Sequence, residues 1–162
     1  GHEGRRLVFL AQPVLEFFSD GARINQQIID QLNVFSADGI YRQHPRDTSE
    51  VRTELPLDPS QTIWELACEQ SVTQDSILVS ICSTAQIMPK ILYNLEPYLV
   101  FTYKLYMEDH TPELENQLCL IVERMKEIYS RRDKIIEPET IQELTEILSG
   151  LLNRKKAGEA WA

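Results

Sequence analysis

The chain lacks the short motifs by which catalytic sites are usually recognised in a sequence. It contains no glycine-rich phosphate-binding loop, no G-x-S-x-G segment and no cysteine–histidine pair arranged for nucleophilic catalysis. His44 lies between Arg42 and Arg46, and because nearby positive charge favours its neutral form, we interpret it as a solvated loop residue. The sequence therefore predicts no catalytic residues and a protein that is not an enzyme.

Metal-binding and disulfide patterns are also missing. The cysteines and histidines of the chain are Cys68, Cys82, Cys119, His2, His44 and His110. No two cysteines form a CxxC pair, and no histidine stands at a ligand spacing from a cysteine. We therefore expect no metal, no cofactor and no disulfide framework. The cysteines are interpreted as small core residues of an intracellular protein in a reducing compartment, cytoplasmic or nuclear.

Positive charge and long apolar runs are both scarce. The chain has 16 Lys and Arg against 25 Asp and Glu, for a net charge of −9. Because affinity for nucleic acids and for anionic lipid depends on basic residues, we expect no nucleic acid and no membrane as partners. The longest apolar run, Tyr98 to Met107, is about half of the roughly 20 residues that a membrane-spanning helix needs.

The chain does contain enough apolar sequence for one domain. Its 162 residues are 43% hydrophobic and 25% charged, which is typical of a soluble globular protein. We place a single domain at residues 5–153 and a tail at 154–162. Residues 1–4 are consistent with an addition made in cloning, which would make the chain a piece of a larger regulatory protein.

Apolar residues recur at helical spacing over most of this domain. The pattern predicts helices at 5–19, 22–35, 60–70, 72–85, 112–131 and from Pro138 onward. Pro13 is expected to kink the first helix, and Gly21 to end it in a left-handed cap. The predicted fold is therefore mainly α, a helical-hairpin or repeat-like bundle.

Two stretches are less regular. Residues 97–107 have the Val, Phe, Thr and Tyr content of a buried strand, but we favour a central helix because Pro97 suits a first turn and the neighbouring segments are helical. Asp38-Gly39 is a turn signal, and apolar and polar residues alternate over 49–57. Together these features predict a small β-hairpin-like insertion near 39–57.

One local resemblance concerns this region. The segment RTELPLDPSQTI at 52–63, with Leu66 following, resembles the second strand and first helix of ubiquitin-like β-grasp domains. Similar phrases occur in large armadillo-containing ubiquitin ligases of the HECT type. The resemblance covers residues 52–66 and implies a place in the ubiquitin system. The alternative is that any well-capped helix after a strand has a sequence of this kind, so that the phrase indicates no family relationship.

A second resemblance would give Arg42 a role in catalysis by another protein. The phrases GIYR at 39–42, LEP at 95–97 and FTYKLY at 101–106 resemble fragments of Rho GTPase-activating domains. In that family the arginine of the first phrase stabilises charge during phosphoryl transfer, which implies Arg42. The chain departs from the family where Gln43-His44-Pro45 replace the expected small residues, and the later asparagine motif is missing.

The function predicted from these observations is non-catalytic binding of another protein, as a scaffold or adaptor domain. Arg42, His44, Arg46 and Trp64 are the candidate partner-binding residues, because arginine and tryptophan dominate protein interfaces and loops on a rigid scaffold often carry recognition. A buried Trp64 would instead belong to the core. A further alternative is a homodimer formed through the amphipathic helix at 112–131.

Overall fold

The computed structural model describes residues 4–109 and 111–161, and for 107–109 and 154–161 it describes the backbone alone. Residues 1–3, His110 and Ala162 lie outside the described part. The interpretation of residues 1–4 as an addition made in cloning falls mostly on them. That interpretation and the predicted tail at 154–162 remain predictions.

Five short strands form one parallel sheet. They are β1 (Leu7–Leu10), β2 (Gly39–Arg42), β3 (Ile77–Ser80), β4 (Tyr98–Phe101) and β5 (Ile135–Ile136). Their order across the sheet is β2-β1-β3-β4-β5, and every neighbouring pair is parallel. This is one of the orders of doubly wound α/β proteins, so the chain has a Rossmann-like fold.

The central strands are continuous apolar runs. β1 reads LVFL, β3 reads ILVS and β4 reads YLVF, and all of these residues except Tyr98 are buried. A parallel strand that is covered by helices on both faces buries the side chains of both faces, which is why polar residues do not alternate with apolar ones. Burying each such aliphatic or aromatic side chain contributes about 1.5–3 kcal/mol before the entropy cost of folding.

Helices connect these strands and follow the last one. They are α1 (Val14–Phe17), α2 (Gly21–Asn33), α3 (Trp64–Ser71), α4 (Met88–Tyr93), α5 (Pro112–Ile128) and α6 (Ile141–Trp161). Short 3₁₀ segments occupy Ser36–Asp38, Thr84–Gln86, Tyr103–Asp109 and Arg132–Lys134. Within the described ranges, none of the helices is both long enough and apolar enough to span a bilayer.

The helices cover both faces of the sheet. α2 packs against α6, where the Thr145 hydroxyl donates to Gln31 Oε1 at 2.9 Å. α3 packs against α4, where the Tyr93 hydroxyl donates to the carbonyl of Glu65 at 2.8 Å. Right-handed crossovers between parallel strands put α2 on one face and α3, α4 and α5 on the other, and the contact of α6 with α2 puts α6 on the face of α2.

The predicted mainly α, repeat-like helical bundle is wrong. Residues 5–19 and 72–85, each predicted as one helix, contain β1 and β3. An apolar run of four residues is too short to show a period of its own. When such a run is read together with the helix beside it, its residues fill out a broad helical face, and the strand disappears from the pattern.

The predicted β-hairpin-like insertion near 39–57 is wrong as well. Residues 39–42 are β2, at the edge of the main sheet, and residues 43–63 form an irregular connection. One isolated parallel bridge joins Tyr41 to Leu57. The Tyr41 N–H donates to the carbonyl of Pro56, and the Asp58 N–H donates to the carbonyl of Tyr41, each at 2.8 Å. The connection therefore returns alongside β2 before it enters α3.

Some of the remaining predicted elements agree with the structure, and others do not. The predicted helices at 22–35 and 112–131 agree with α2 and α5, and the Thr111 side chain accepts from the Leu114 N–H at the start of α5. Residues 97–107 contain β4, so the buried strand was the correct alternative and the favoured helix was wrong. Gly21 opens α2 and does not end a helix in a left-handed conformation.

A network of ion pairs and hydrogen bonds connects the segments that precede β4 and β5, at the amino end of the sheet. Glu96, just before β4, accepts from Lys90 Nζ at 2.6 Å and from the backbone N–H groups of Ser130 and Arg131. Lys134, just before β5, donates to the carbonyl of Glu96 at 2.7 Å. Desolvation raises the pKa of Glu96, but the hydrogen bonds from Lys90, Ser130 and Arg131 outweigh it and lower the pKa to about 2.

Candidate functional site

A pocket of about 750 Å³ opens at the carboxyl ends of β1, β2 and β3. It is lined by residues 10–11, 42–45, 58, 60–65 and 83–85. This volume lies within the roughly 300–1,000 Å³ of small-molecule sites. In doubly wound sheets, ligands bind outside the carboxyl ends of the strands, where the strand order reverses. In this strand order the reversal falls between β1 and β3, and the pocket opens next to it, on the side of β2.

Arg42, the last residue of β2, forms hydrogen bonds to two residues of the pocket wall. Its Nη1 donates to Asp58 Oδ2 at 2.8 Å, and its Nη2 donates to the carbonyl of Thr62. The two charged side chains are 15% and 18% exposed, so the ion pair is largely withdrawn from water. Arg42 therefore holds both ends of the exposed segment at residues 59–62, which forms one wall.

Trp64, at the start of α3, forms an apolar part of the lining. The residue is 8% exposed, its Nε1 donates to the carbonyl of Ala85 at 2.6 Å, and the Arg42 guanidinium lies 5.5 Å from the ring centroid. The hydrogen bond joins α3 to the segment after β3, and the stacked guanidinium adds a cation–π contact. Trp64 thus belongs to the core and borders the pocket at the same time.

His44 and Arg46 follow β2 but differ in position. His44 lines the pocket, and its Nδ1 accepts from the Arg46 N–H at 3.0 Å, which leaves Nε2 as the donor of a neutral imidazole. The Arg46 side chain is 69% exposed and lies 4.0 Å from the Glu16 carboxylate. It borders a separate cavity of about 60 Å³.

The four residues proposed from the sequence therefore do not form a single cluster. The structure brings Arg42, His44 and Trp64 to one pocket and leaves Arg46 outside it. That any of them binds another protein stays a prediction.

The crevice between β1 and β3 is closed by side chains. Gln12 Oε1 accepts from the Cys82 N–H at 2.9 Å, and Gln12 Nε2 donates to the carbonyl of the same residue. The buried Ser80 hydroxyl lies 2.7 Å from the carbonyl of Leu10 and 2.8 Å from Gln12 Oε1. Gln12, Ser80 and Cys82 are not part of the pocket lining, which includes the residues at the ends of β1 and β2.

A second polar cluster stands farther along the same edge of the sheet. Glu137, just after β5, accepts from the Tyr103 hydroxyl at Oε1 and from Lys126 Nζ at Oε2, the latter at 3.0 Å. Burial raises the pKa of the Glu137 carboxyl, but the hydrogen bonds from Tyr103 and Lys126 outweigh it and lower the pKa. Burial, with a smaller contribution from Glu137, raises the pKa of the Cys82 thiol to about 12, so this thiol is a poor nucleophile.

Sequence reasoning missed most of the lining of the pocket. Ser60, Gln61, Ser83 and Thr84 belong to it, and none stands out by residue type or spacing. Their common property is that they precede α3 or follow β3. The signal that could have found them is the position of strand ends in a parallel sheet, and it requires the strands to be recognised first.

No group of three or more His, Cys, Asp or Glu side chains is placed to hold a metal ion in the part of the chain that the structure describes. Comparisons with protein-family models, with curated proteins and with solved structures find no significant match.

Proposed function

We propose that this domain binds a small organic molecule in the pocket at the carboxyl ends of β1, β2 and β3. The observation that supports this is a cavity of about 750 Å³ lined from three strand ends and from the connection into α3. Four separate segments of the chain converge on it, and two of them begin at paired residues of the sheet, Leu10 and Arg42.

The composition of the lining also suits a small ligand. Leu10, Ala11 and Trp64 supply apolar surface, while Gln43 and Gln61 supply side-chain amides. Small-molecule sites commonly combine an apolar lining with a few polar groups that fix the orientation of the ligand. A pocket of this kind needs no catalytic residue, and the proposal is one of binding alone.

The test is stabilisation by ligands in a pocket-filling variant. A library of metabolites is screened by thermal unfolding against the wild type, Gln61→Trp and Gln70→Trp. Gln61 lines the pocket, whereas Gln70 is also exposed but lies on α3, outside the lining. A ligand present at about 100 times its dissociation constant should stabilise the fold by about 2.7 kcal/mol, a rise in Tm of about 5–10 °C.

The expected result is a compound that raises the Tm of the wild type and of Gln70→Trp but not of Gln61→Trp. If no compound stabilises the wild type, or if both variants respond as the wild type does, the proposal fails.

Protein binding remains a second proposal, because several helices expose large apolar side chains. Ile63 and Leu66 lie at α3, Ile91 and Leu92 on α4, and Leu120, Ile121 and Ile128 on α5, each at least 41% exposed. Exposed apolar groups that lie close together are common at protein interfaces. The α5 group supports the homodimer alternative, whereas the α3 and α4 groups, which include part of the 52–66 segment, support a heterologous partner such as a ubiquitin-system protein.

Sedimentation at two concentrations separates these alternatives. A wild-type dimer that Leu120→Lys dissociates would support self-association through α5, and a monomer at both concentrations would remove it. The GTPase-activating alternative requires the Arg42 guanidinium to leave Asp58 and Thr62. It predicts that the domain accelerates single-turnover GTP hydrolysis by a small GTPase. A rate that is unchanged when the domain is added would exclude this alternative.

A further inference from the structure

The charges that line the pocket limit the class of ligand that it accepts. This inference rests on the proposed function, the binding of a small molecule in the pocket. Of the described lining residues, Arg42 is the one lysine or arginine, whereas Asp58 and Glu65 are carboxylates. With His44 neutral, the lining therefore carries one more negative than positive charge. The net charge of −9 on the whole chain adds to the repulsion that an approaching anion would meet.

The one positively charged side chain of the described lining already has partners. Arg42 is paired with Asp58 at 2.8 Å and also donates to the carbonyl of Thr62. The amino end of α3, which would otherwise attract an anion, carries Glu65 in its first turn. Among the described residues, the hydrogen bonds to Glu65 come from Cys68 and Tyr93 and reach its backbone carbonyl, so the charge of its carboxylate remains available to a ligand.

The uncharged polar groups of the lining also suit a ligand without negative charge. Gln43 and Gln61 present amides at exposed positions. Ser60 Oγ accepts from the Thr62 N–H, and Ser83 Oγ accepts from the Ala85 N–H, which leaves each hydroxyl hydrogen free to donate. Such groups bind hydroxyls, amides and amines without requiring charge on the ligand.

We propose that the ligand of this pocket carries no anionic group and is an uncharged or cationic small molecule held by amide and hydroxyl hydrogen bonds. Nucleotides, sugar phosphates and carboxylates are excluded by this chemistry. The domain would thus differ from doubly wound proteins that hold a phosphate at a helix amino end.

The test is a fragment screen with equal thirds of anionic, neutral and cationic compounds, read by two-dimensional NMR of the full chain. Binding in the pocket is identified by shifts of the Trp64 indole N–H, which bonds to Ala85, together with the backbone N–H of His44. We expect pocket binders to come from the neutral and cationic thirds. An even distribution, or an excess of anions, overturns the inference and leaves the proposed function standing. The absence of any pocket binder overturns the proposed function itself.

A matched series then tests the role of charge. The tightest neutral fragment is compared with its amine and carboxylate derivatives, in the wild type, in Glu65→Gln and in Glu69→Gln. Glu69 lies on the same helix, exposed and outside the lining. We expect the amine to bind more tightly than the carboxylate. Glu65→Gln should narrow that difference by about two- to fivefold, as for an exposed ion pair, and Glu69→Gln should leave it unchanged. A carboxylate that binds as tightly as the amine overturns the inference, as does an unchanged difference in Glu65→Gln.

Discussion

Arg42 and Asp58 form an ion pair of 2.8 Å between the end of β2 and the connection that enters α3. The two residues are 16 positions apart in the chain, and the pair holds the connection against the sheet at the point where the pocket opens. The same guanidinium bonds to Thr62 and stacks near Trp64, so one side chain positions most of a pocket wall.

Arg42→Ala should lower the free energy of unfolding by about 1–3 kcal/mol, because it leaves the Asp58 carboxylate without its charged donor in a largely buried position. Urea unfolding measures the loss. Arg52→Ala is the matched control, since the Arg52 side chain is exposed. A double-mutant cycle with Asp58→Asn isolates the pair, and a coupling energy near zero would contradict the assigned role.

The Glu96 network should make stability depend on pH in the acid range. The folded-state pKa of Glu96 is lowered to about 2, below its ordinary value of 4.5. A lowered pKa contributes stability that is present above the unfolded value and is lost as pH falls through the folded one. The wild type should therefore lose stability between about pH 4.5 and pH 2 through this group.

Glu96→Gln should be less stable than the wild type at pH 7 and should converge toward it as the pH falls to 2. Urea unfolding over that range measures the difference. Glu127→Gln, at an exposed position on α5, provides the control. A constant difference between wild type and Glu96→Gln across the pH range would show that the carboxylate is not the source of the pH dependence.

How much the sequence predicts depends on the length of each element. α5 spans 17 residues, enough turns for its apolar stripe to identify a helix and for Thr111 and Pro112 to mark the start. β1 and β3 span four residues each, and a run such as LVFL or ILVS carries no period that separates strand from helix. The regular helices could therefore be predicted, and the parallel sheet could not.

Residue type singles out only part of the pocket lining, for a related reason. Arg42, His44 and Trp64 are candidate partner-binding residues by type and position, and the structure places all three at the pocket, although their role in binding another protein stays a prediction. Gln12, whose side chain joins β1 to Cys82, gives no such signal. Its role arises from the pairing of β1 with β3, residues about 70 positions apart, and a single sequence gives no sign of that pairing.

Gln86 provides a test of the interior of the sheet. Its side chain is fully buried, and its Nε2 donates to the carbonyls of Leu78 and Val100 at 3.1 and 3.0 Å. Gln86→Met keeps the approximate volume but leaves both carbonyls without this donor, which should cost about 1–3 kcal/mol for each group. Urea unfolding checks the loss against Gln142→Met, at an exposed site on α6. Equal stability of the two variants would contradict the bridging role.

Gly21 and Gly150 should respond oppositely to the same substitution. A Cβ at Gly21 would lie 2.7 Å from Val14 Cγ2 and 2.9 Å from Phe18 Cβ, whereas a Cβ at Gly150 meets nothing within 4 Å. Gly21→Ala must therefore displace α1 from α2 and should destabilise the fold by about 1–3 kcal/mol. Gly150→Ala removes backbone freedom from an exposed position in α6 and should stabilise it by about 0.5–1 kcal/mol. Thermal unfolding of both variants measures the two signs. A stabilising Gly21→Ala would mean that α1 does not pack on α2 at this distance.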